Sequence, residues 1–577
     1  MDEALVSESK SPRHRKEVSG FLMILGYLGM FMILIGFISL IPMIVVAFYP
    51  EEYSALPIFG SVAATNIVVG LTLFFSLIWH RPRSRFHRHG ESTLLMLTWL
   101  CAILSGAAPF FIAGLLGKMD MTFSAAFFES TSGYSTTGLT LFQDFIDVPG
   151  AFCPHVFTFH RAFTNFIGGV GLVLLVASVL GAGGGGVALY VSEGHSDRLL
   201  PNIAKTAKLI FGIYSFYTVM GFIALLLAGM PVFDAICHSM SALSGGGFSP
   251  RLNNVASFRE FDGIVLASEG GILPVNSLAI EIIVIVLVCL SAISFMLHTF
   301  LLRGRFRDFF RDDEIRYIVC SETILLILAF FSALIATASV RQGGFFGDSG
   351  EILRMTFFYT IGSLTNSGFA STAQTGFQFH IIESGGAIYV GHGFTVILIV
   401  LMLIGGGAGS SAGGIKQYRV AIALRSIYYS LRYRFASIHE RYPRLTFRYG
   451  ETKKLDEATV NEANHYILLF IMLYLLLTVV MLVADPGHYS FETASFDMAS
   501  AISNTGLSWV VGPAYAATKT PASFVCIWAM SAGMLLGRLE IFPAAYAVAN
   551  IGHEINDHHQ PRVKRRRAAA MSISEEE

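Results

Sequence analysis

The chain has 577 residues, of which 54% are hydrophobic, 13% aromatic and only 14% charged, against roughly 25% charged in a globular domain. Its formal net charge of −1 says nothing by itself, and no nucleic-acid partner is expected. Apolar runs long enough to cross a bilayer core of roughly 30 Å recur from Phe21 to Ala549, which excludes a water-soluble fold and makes this an all-α polytopic membrane protein.

In chain order, residues 1–19 read as a cytoplasmic N-terminus, and residues 20–90 as a hairpin of two spanning helices (21–49 and 58–79) closed by an Arg-rich inner loop. The first run is not only a cleavable signal, because others follow and its flank lacks a clear small-residue cleavage site. After the hairpin one unit recurs four times: spanning helix, half-length pore helix, Gly-centred pentad, spanning helix. The first unit (91–206) carries Ser135-Thr136-Thr137-Gly138-Leu139 and the second (207–315) Ser244-Gly245-Gly246-Gly247-Phe248. The third (316–461) carries Thr365-Asn366-Ser367-Gly368-Phe369 and the fourth (462–550) Ser503-Asn504-Thr505-Gly506-Leu507. Residues 551–577 form a cytoplasmic tail. The second spanning helices are expected at 155–180, 276–302, 391–430 and 520–549.

Lys and Arg concentrate at 10–16, 81–88, 198–208, 303–316, 416–454 and 562–567, each after an even number of crossings. Positive loops stay inside, so both termini are expected in the cytoplasm. The opposite loops carry acidic residues such as Glu51, Glu52, Asp144 and Asp147. The six cysteines show no metal spacing and read as small packed residues. The histidines of the 80–90 loop and Arg565-Arg566-Arg567 read as solvated or topology-setting charge. No Ser or His pairs with a base at helical spacing, so no enzyme site is expected.

The half-length helices are too short to cross, and non-helical backbone at membrane depth survives only where protein buries it or water lines it. Four such helices aim the negative ends of their dipoles at one centre, which favours a cation. Each pentad can supply a quarter of a ring of carbonyl oxygens that replaces the hydration shell of a monovalent ion. Gly138, Gly247, Gly368 and Gly506 free the backbone for that turn. The hydroxyls of Ser135, Ser244, Thr365 and Ser503 add oxygens at the inner end, and Leu139, Phe248, Phe369 and Leu507 wedge each pentad against its helix. Glu129, six residues before the first pentad, is the candidate filter support, with Arg161 a candidate partner and Asp234 and Asp497 as further acidic residues in the pore helices.

With FESTSGYSTTGLT (128–140), FIGGVGLV (166–173), SALSGGGFS (241–249), GGGAGSSAGGIK (405–416), SAISNTGLS (500–508) and LGRLE (536–540), the chain resembles the Trk/Ktr/HKT superfamily of potassium transporters, most closely the TrkH/TrkG type, over residues 20 to 550. The resemblance implies potassium uptake across the inner membrane, with K+ as the transported ion and no organic cofactor in this chain. It implies that Gly138 favours potassium over sodium, and that loop 405–414, with Gly405, Gly406, Gly407, Gly409, Gly413 and Gly414, is an intramembrane gate. Arg538 would face the pathway below the filter; its alternative is pairing with Glu540 or snorkelling to the inner face. A homodimer in membrane lipid and TrkA-like cytosolic nucleotide-binding subunits are the implied partners. A sodium-permeable or Na+/H+-coupled transporter on the same fold is the alternative.

Overall fold

The computed structural model describes residues 21–79, 90–171, 203–340, 349–375, 378–381, 386–435, 445–512, 515 and 518–549. The expected cytoplasmic ends, the inner loop at 80–89, the basic stretch at 198–202 and the end of the 155–180 helix lie outside the described residues.

Helices dominate. They are α1 (Phe21–Ile38), α2 (Leu56–Leu77), α3 (Gly90–Leu115), α4 (Phe123–Tyr134), α5 (Pro154–Val170), α6 (Ile203–Leu227), α7 (Val232–Leu243), α8 (Ser277–Ser291) and α9 (Phe295–Leu302). There follow α10 (Phe306–Arg311), α11 (Asp313–Val340), α12 (Ser349–Thr365), α13 (Gly391–Ile404), α14 (Gln417–Phe435), α15 (Glu457–Ala484), α16 (Phe491–Ile502) and α17 (Pro521–Leu539). Seven described segments are long and apolar enough to span a bilayer, or eight if α8 and α9 count as one broken span.

Local sequence sets where the helices begin. Thr122, Asn276, Asp456 and Thr520 each accept a backbone N–H of the first turn, and Ser490 with Thr493 forms a reciprocal capping box, which satisfies donors the helix cannot. Polarity is inverted relative to a soluble protein. The apolar α15 exposes Leu468, Met472, Leu476 and Val483, whereas the short α4 buries Glu129, Ser130, Thr131 and Ser132. Lipid imposes this arrangement, because polar groups inside it must find partners in the protein.

Each pentad-bearing helix lies between two neighbours: α4 between α3 and α5, α7 between α6 and α8, α12 between α11 and α13, α16 between α15 and α17. The second neighbour also packs on the next short helix. Thus α5 meets α7, α8 meets α12, α13 meets α16, and α17 returns to α4. The four short helices therefore stand in a closed circle, with the α1–α2 hairpin packed outside against α3.

Three expected helices are interrupted. The span at 276–302 bends by 113° between α8 and α9, because the carbonyls of Ser291 and Ala292 turn away to accept Ser411 and Gly407 N–H groups at 3.2 and 2.8 Å. The 391–430 span breaks into α13 and α14 around the Gly-rich loop. The 520–549 span breaks at Glu540, whose φ is 57°, before a further helical stretch at 541–549. Two small sheets join the helices: antiparallel β1 (Ala373–Thr375), β2 (Gln378–Ile381) and β3 (Gly386–Tyr389), and the hairpin β4 (Leu445–Arg448) with β5 (Glu451–Lys454). Tyr449 and Gly450, with φ of 53° and 80°, make the two-residue turn whose twist suits such a hairpin.

Candidate functional site

One device ends all four short helices. The second pentad residue has left-handed backbone: φ is 58° at Thr136, 72° at Gly245, 54° at Asn366 and 57° at Asn504. Its N–H and the next one fold back onto the helix: Thr136 to Gly133 and Thr137 to Ser132, Gly245 to Ala242 and Gly246 to Ser241, Asn366 to Ser363 and Ser367 to Gly362, Asn504 to Ala501 and Thr505 to Ser500, all at 2.8–3.3 Å. This is a Schellman turn, whose left-handed position favours Gly and then Asn. Thr136 is the exception, a β-branched residue where few are found.

The fourth residues meet. A β-carbon on Gly138 would lie 2.7 Å from the Gly247 nitrogen, one on Gly247 2.5 Å from the Gly368 α-carbon, and one on Gly368 2.8 Å from the Gly506 α-carbon. One on Gly506 would overlap the Thr137 carbonyl oxygen and fall 3.1 Å from the Gly138 α-carbon, which closes the circle. Only glycine lets four backbones approach so closely. The circle is not fourfold exact in its torsions, since Gly138 and Gly506 have φ of 97° and 103° while Gly247 and Gly368 stay outside that region.

The fifth residues Leu139, Phe248, Phe369 and Leu507 are buried behind it. The first-residue hydroxyls are partly committed. Ser135 Oγ lies 2.7 Å from Thr137 Oγ1, Ser244 Oγ donates to the Ser241 carbonyl at 2.7 Å, Thr365 Oγ1 to Ile361 at 2.7 Å, and Ser503 Oγ to Ala499 at 2.6 Å. In the second pentad the Gly246 carbonyl accepts Ser367 Oγ at 2.6 Å and the Gly247 carbonyl accepts Asn254 Nδ2 at 2.8 Å.

Buried carboxylates brace the ascending strands. Glu129 accepts the Leu141 N–H at 2.9 Å, Thr140 Oγ1 at 3.0 Å and Arg161 Nε at 2.7 Å. Arg161 also donates to the Ser249 carbonyl at 3.0 Å, and its guanidinium lies 4.1 Å from the centre of the Phe248 ring, so it ties the first strand to the second. Asp497, at the corresponding place before the fourth pentad, accepts Trp509 N–H at 2.7 Å and Ser508 Oγ at 2.9 Å. Asp234 instead holds Arg251 at 2.8 Å.

Beneath the ring lies the Gly-rich loop. A β-carbon on Gly405 would sit 2.8 Å from Asn366 Oδ1, one on Gly414 2.9 Å from the Gly405 α-carbon, and one on Gly413 would overlap the Ser503 carbonyl oxygen. Gly406 and Gly407 press on Ala292, and the Gly409 carbonyl accepts the Phe295 N–H at 3.1 Å. Arg538 donates to the carbonyls of Ser411, at 2.8 Å, and of Gly168. Glu540 is engaged by Arg419 at 2.8 Å. Arg538, Gly409, Gly413, Lys416 and Asn504 line a cavity of about 40 Å³ below the ring, room for a few waters.

The sequence reading missed the acidic run that anchors this loop. The Glu314 carboxylate accepts the Ala408 N–H, Asp313 accepts Phe447 N–H at 2.6 Å and Arg425 at 2.6 Å, and Asp312 accepts Tyr449 N–H at 2.8 Å. Burial pushes the Asp312 carboxyl above its ordinary value, against the hold of the Tyr449 and Glu314 N–H groups. Three consecutive acids thus join the β4–β5 hairpin to the loop. Among the described residues no cluster of three or more His, Cys, Asp or Glu could hold a metal ion; an ion at the ring would meet main-chain and hydroxyl oxygens.

Buried polar half-helices closing on a single axis inside an apolar shell define a polytopic membrane transport protein. The profile of the TrkH family, described as a cation transport protein, matches residues 61–554, and the chain belongs to that family, one of transporters and not of enzymes. It is 27% identical over 530 residues to the Trk system potassium uptake protein TrkG of Escherichia coli strain K12, covering 89% of this chain and 95% of that one. It is 29% identical over 491 residues to the Trk system potassium uptake protein TrkH of Halomonas elongata, covering 83% and 89%. The crystal structure of the potassium transporter TrkH from Vibrio parahaemolyticus shares the fold, with a TM-score of 0.71 at 24% identity over 91% of this chain and 98% of that one.

Proposed function

We propose that this protein takes up potassium across the inner membrane through the ring formed by Gly138, Gly247, Gly368 and Gly506, with the backbone carbonyls of the four pentads replacing the ion's water. The observation that carries the reading is the closed circle of glycine contacts at the ends of four half-length helices. The names of the relatives, potassium uptake proteins over most of the chain, support the choice of ion.

In this reading the units 91–206, 207–315, 316–461 and 462–550 each supply one quarter of the filter, behind the hairpin 20–90. Loop 405–414 is the gate: it lies directly under the fourth pentad and is held by groups that a small movement would release. Arg538 fixes the loop from one side and places a positive charge on the pathway, which shortens the dwell of a cation. Both termini are cytoplasmic, the chain works as a homodimer, and TrkA-like nucleotide-binding subunits dock on the basic inner surface at 416–454.

Growth of an uptake-deficient bacterium at low potassium, with and without a TrkA-like subunit, tests substrate and partner together. Rescue that depends on potassium is expected. Sodium-dependent flux with no potassium preference would instead favour the sodium-permeable or Na+/H+-coupled alternative.

A further inference from the structure

We infer that Asn366 and Asn504 are positioning residues for ion selectivity, whose side-chain amides tie neighbouring pentads together and fix the width of the ring; the inference rests on that ring being the ion-selecting site. Each amide donates twice. Asn366 Nδ2 gives one bond to the Met402 carbonyl at 2.9 Å and one to Thr505 Oγ1 at 3.0 Å, which joins the third pentad to the fourth. Asn504 Nδ2 gives one to the Met534 carbonyl at 2.8 Å and one to Thr137 Oγ1 at 3.1 Å, which joins the fourth to the first.

The remaining junctions use other side chains. Ser367 Oγ reaches the Gly246 carbonyl at 2.6 Å, which joins the third pentad to the second. Between the first unit and the second, Asn165 Nδ2 donates to Ser241 Oγ at 2.9 Å, and the amide packs against Gly246. A side-chain hydrogen bond therefore crosses every junction between neighbouring units.

Two details make the amide specific. Asn tolerates the left-handed turn that both positions require, so one residue serves as helix cap and cross-brace. Its Oδ1 atoms are buried with no hydrogen-bond partner at both positions, so the energetic value of the side chain lies in its two N–H bonds. A carboxylate has no such donors and would face the Met402 or Met534 carbonyl. Because Met402 lies in the last turn of α13, the helix that leads into the Gly-rich loop, the same amide carries any shift of that loop to the ring.

A cation site discriminates between potassium and sodium only if it resists shrinking around the smaller ion, or keeps a fixed number of oxygens about it. Cross-braces serve either requirement. The test uses the full-length protein in proteoliposomes, with potassium and sodium flux measured side by side for Thr505→Val, which removes the acceptor at nearly constant shape, Thr505→Ser, which keeps it, and Asn366→Gly, which keeps the turn. Thr505→Val and Asn366→Gly both remove the bond between the third and fourth pentads, and each should lower the potassium/sodium ratio by at least roughly two- to tenfold, the worth of one net hydrogen bond. Thr505→Ser should retain the ratio, and the double variant should lose less than the two single losses combined, because the Asn366–Thr505 bond is common to both.

An unchanged ratio in Thr505→Val, additive losses in the double variant, or loss of both fluxes with melting temperature at constant ratio would overturn the inference. Gly138→Ser separates the two levels. If it alters the ratio while Thr505→Val does not, only the brace fails; if neither does, the filter reading fails with it.

Discussion

Gly413 and Ser503 are packed so closely that a β-carbon on the glycine would overlap the serine's carbonyl oxygen. Residues of different units, ninety positions apart, thus place the Gly-rich loop against the innermost carbonyl of the fourth pentad. Gly413→Ala should push the loop away and raise basal rubidium uptake into proteoliposomes several-fold in the absence of any cytosolic subunit. Basal uptake equal to that of the unmodified protein would count against a gate at this loop.

Arg538 holds the carbonyls of Ser411 and Gly168, so it links the loop to the end of α5. A buried charge here costs at least about 2.5–3.5 kcal/mol unless such groups solvate it. Arg538→Ala should raise the flux while membrane yield stays near normal. Arg538→Lys, which cannot span both carbonyls with a planar fork, should fall between. Reduced yield with an unchanged rate per molecule would leave Arg538 a purely structural role.

Glu314 ties the loop to the N-terminal end of α11 while Asp313 and Asp312 hold the β4–β5 hairpin. Movement of the hairpin is thereby passed to the Gly-rich loop. Glu314→Ala should uncouple them: basal flux rises, and the added stimulation from a TrkA-like subunit shrinks. Full stimulation in the variant would show that regulation travels another way.

Glu129 and Arg161 form an ion pair with both side chains almost fully buried. Removing one partner of such a pair costs about 3–5 kcal/mol, because the other is left buried without a counter-charge. Glu129→Ala should therefore lower the melting temperature sharply, and Glu129→Leu with Arg161→Met should recover much of the loss. A small change in Glu129→Ala, read by thermal unfolding in detergent, would contradict the bracing role.

Thr136 occupies the left-handed position that Gly or Asn fills in the other three pentads. Its β-branched side chain is costly there, by roughly 1–2 kcal/mol. Thr136→Asn should raise thermal stability, and a decrease would mean that the threonine is held by packing worth more than the strain.

Much of this site was legible in the sequence for a physical reason. A half-length helix followed by Gly at fixed spacing is a local pattern, so Gly138, Gly247, Gly368 and Gly506 stand out, and Glu129 follows from the cost of burying a carboxylate. The second pentad position was also readable in principle, since Gly245, Asn366 and Asn504 are the residues a Schellman turn selects. What their amides reach was not, because Asn366 and Thr505 are far apart in the chain. The bend after Ser291 was hidden likewise: 276–302 reads as one largely apolar run, and it is the approach of the Gly-rich loop that draws the Ser291 and Ala292 carbonyls out of the helix. The β4–β5 hairpin lies in a short alternating stretch, Leu445 to Lys454, that a basic loop disguises.

The potassium/sodium permeability ratio of the protein and of its Gly138→Ser variant, measured in proteoliposomes, decides whether the four glycines select the ion. A side chain at Gly138 must displace the Gly247 backbone, so the unmodified protein should prefer potassium and the variant should pass sodium nearly as well. Identical ratios in the two proteins would contradict a selectivity ring built from these four glycines.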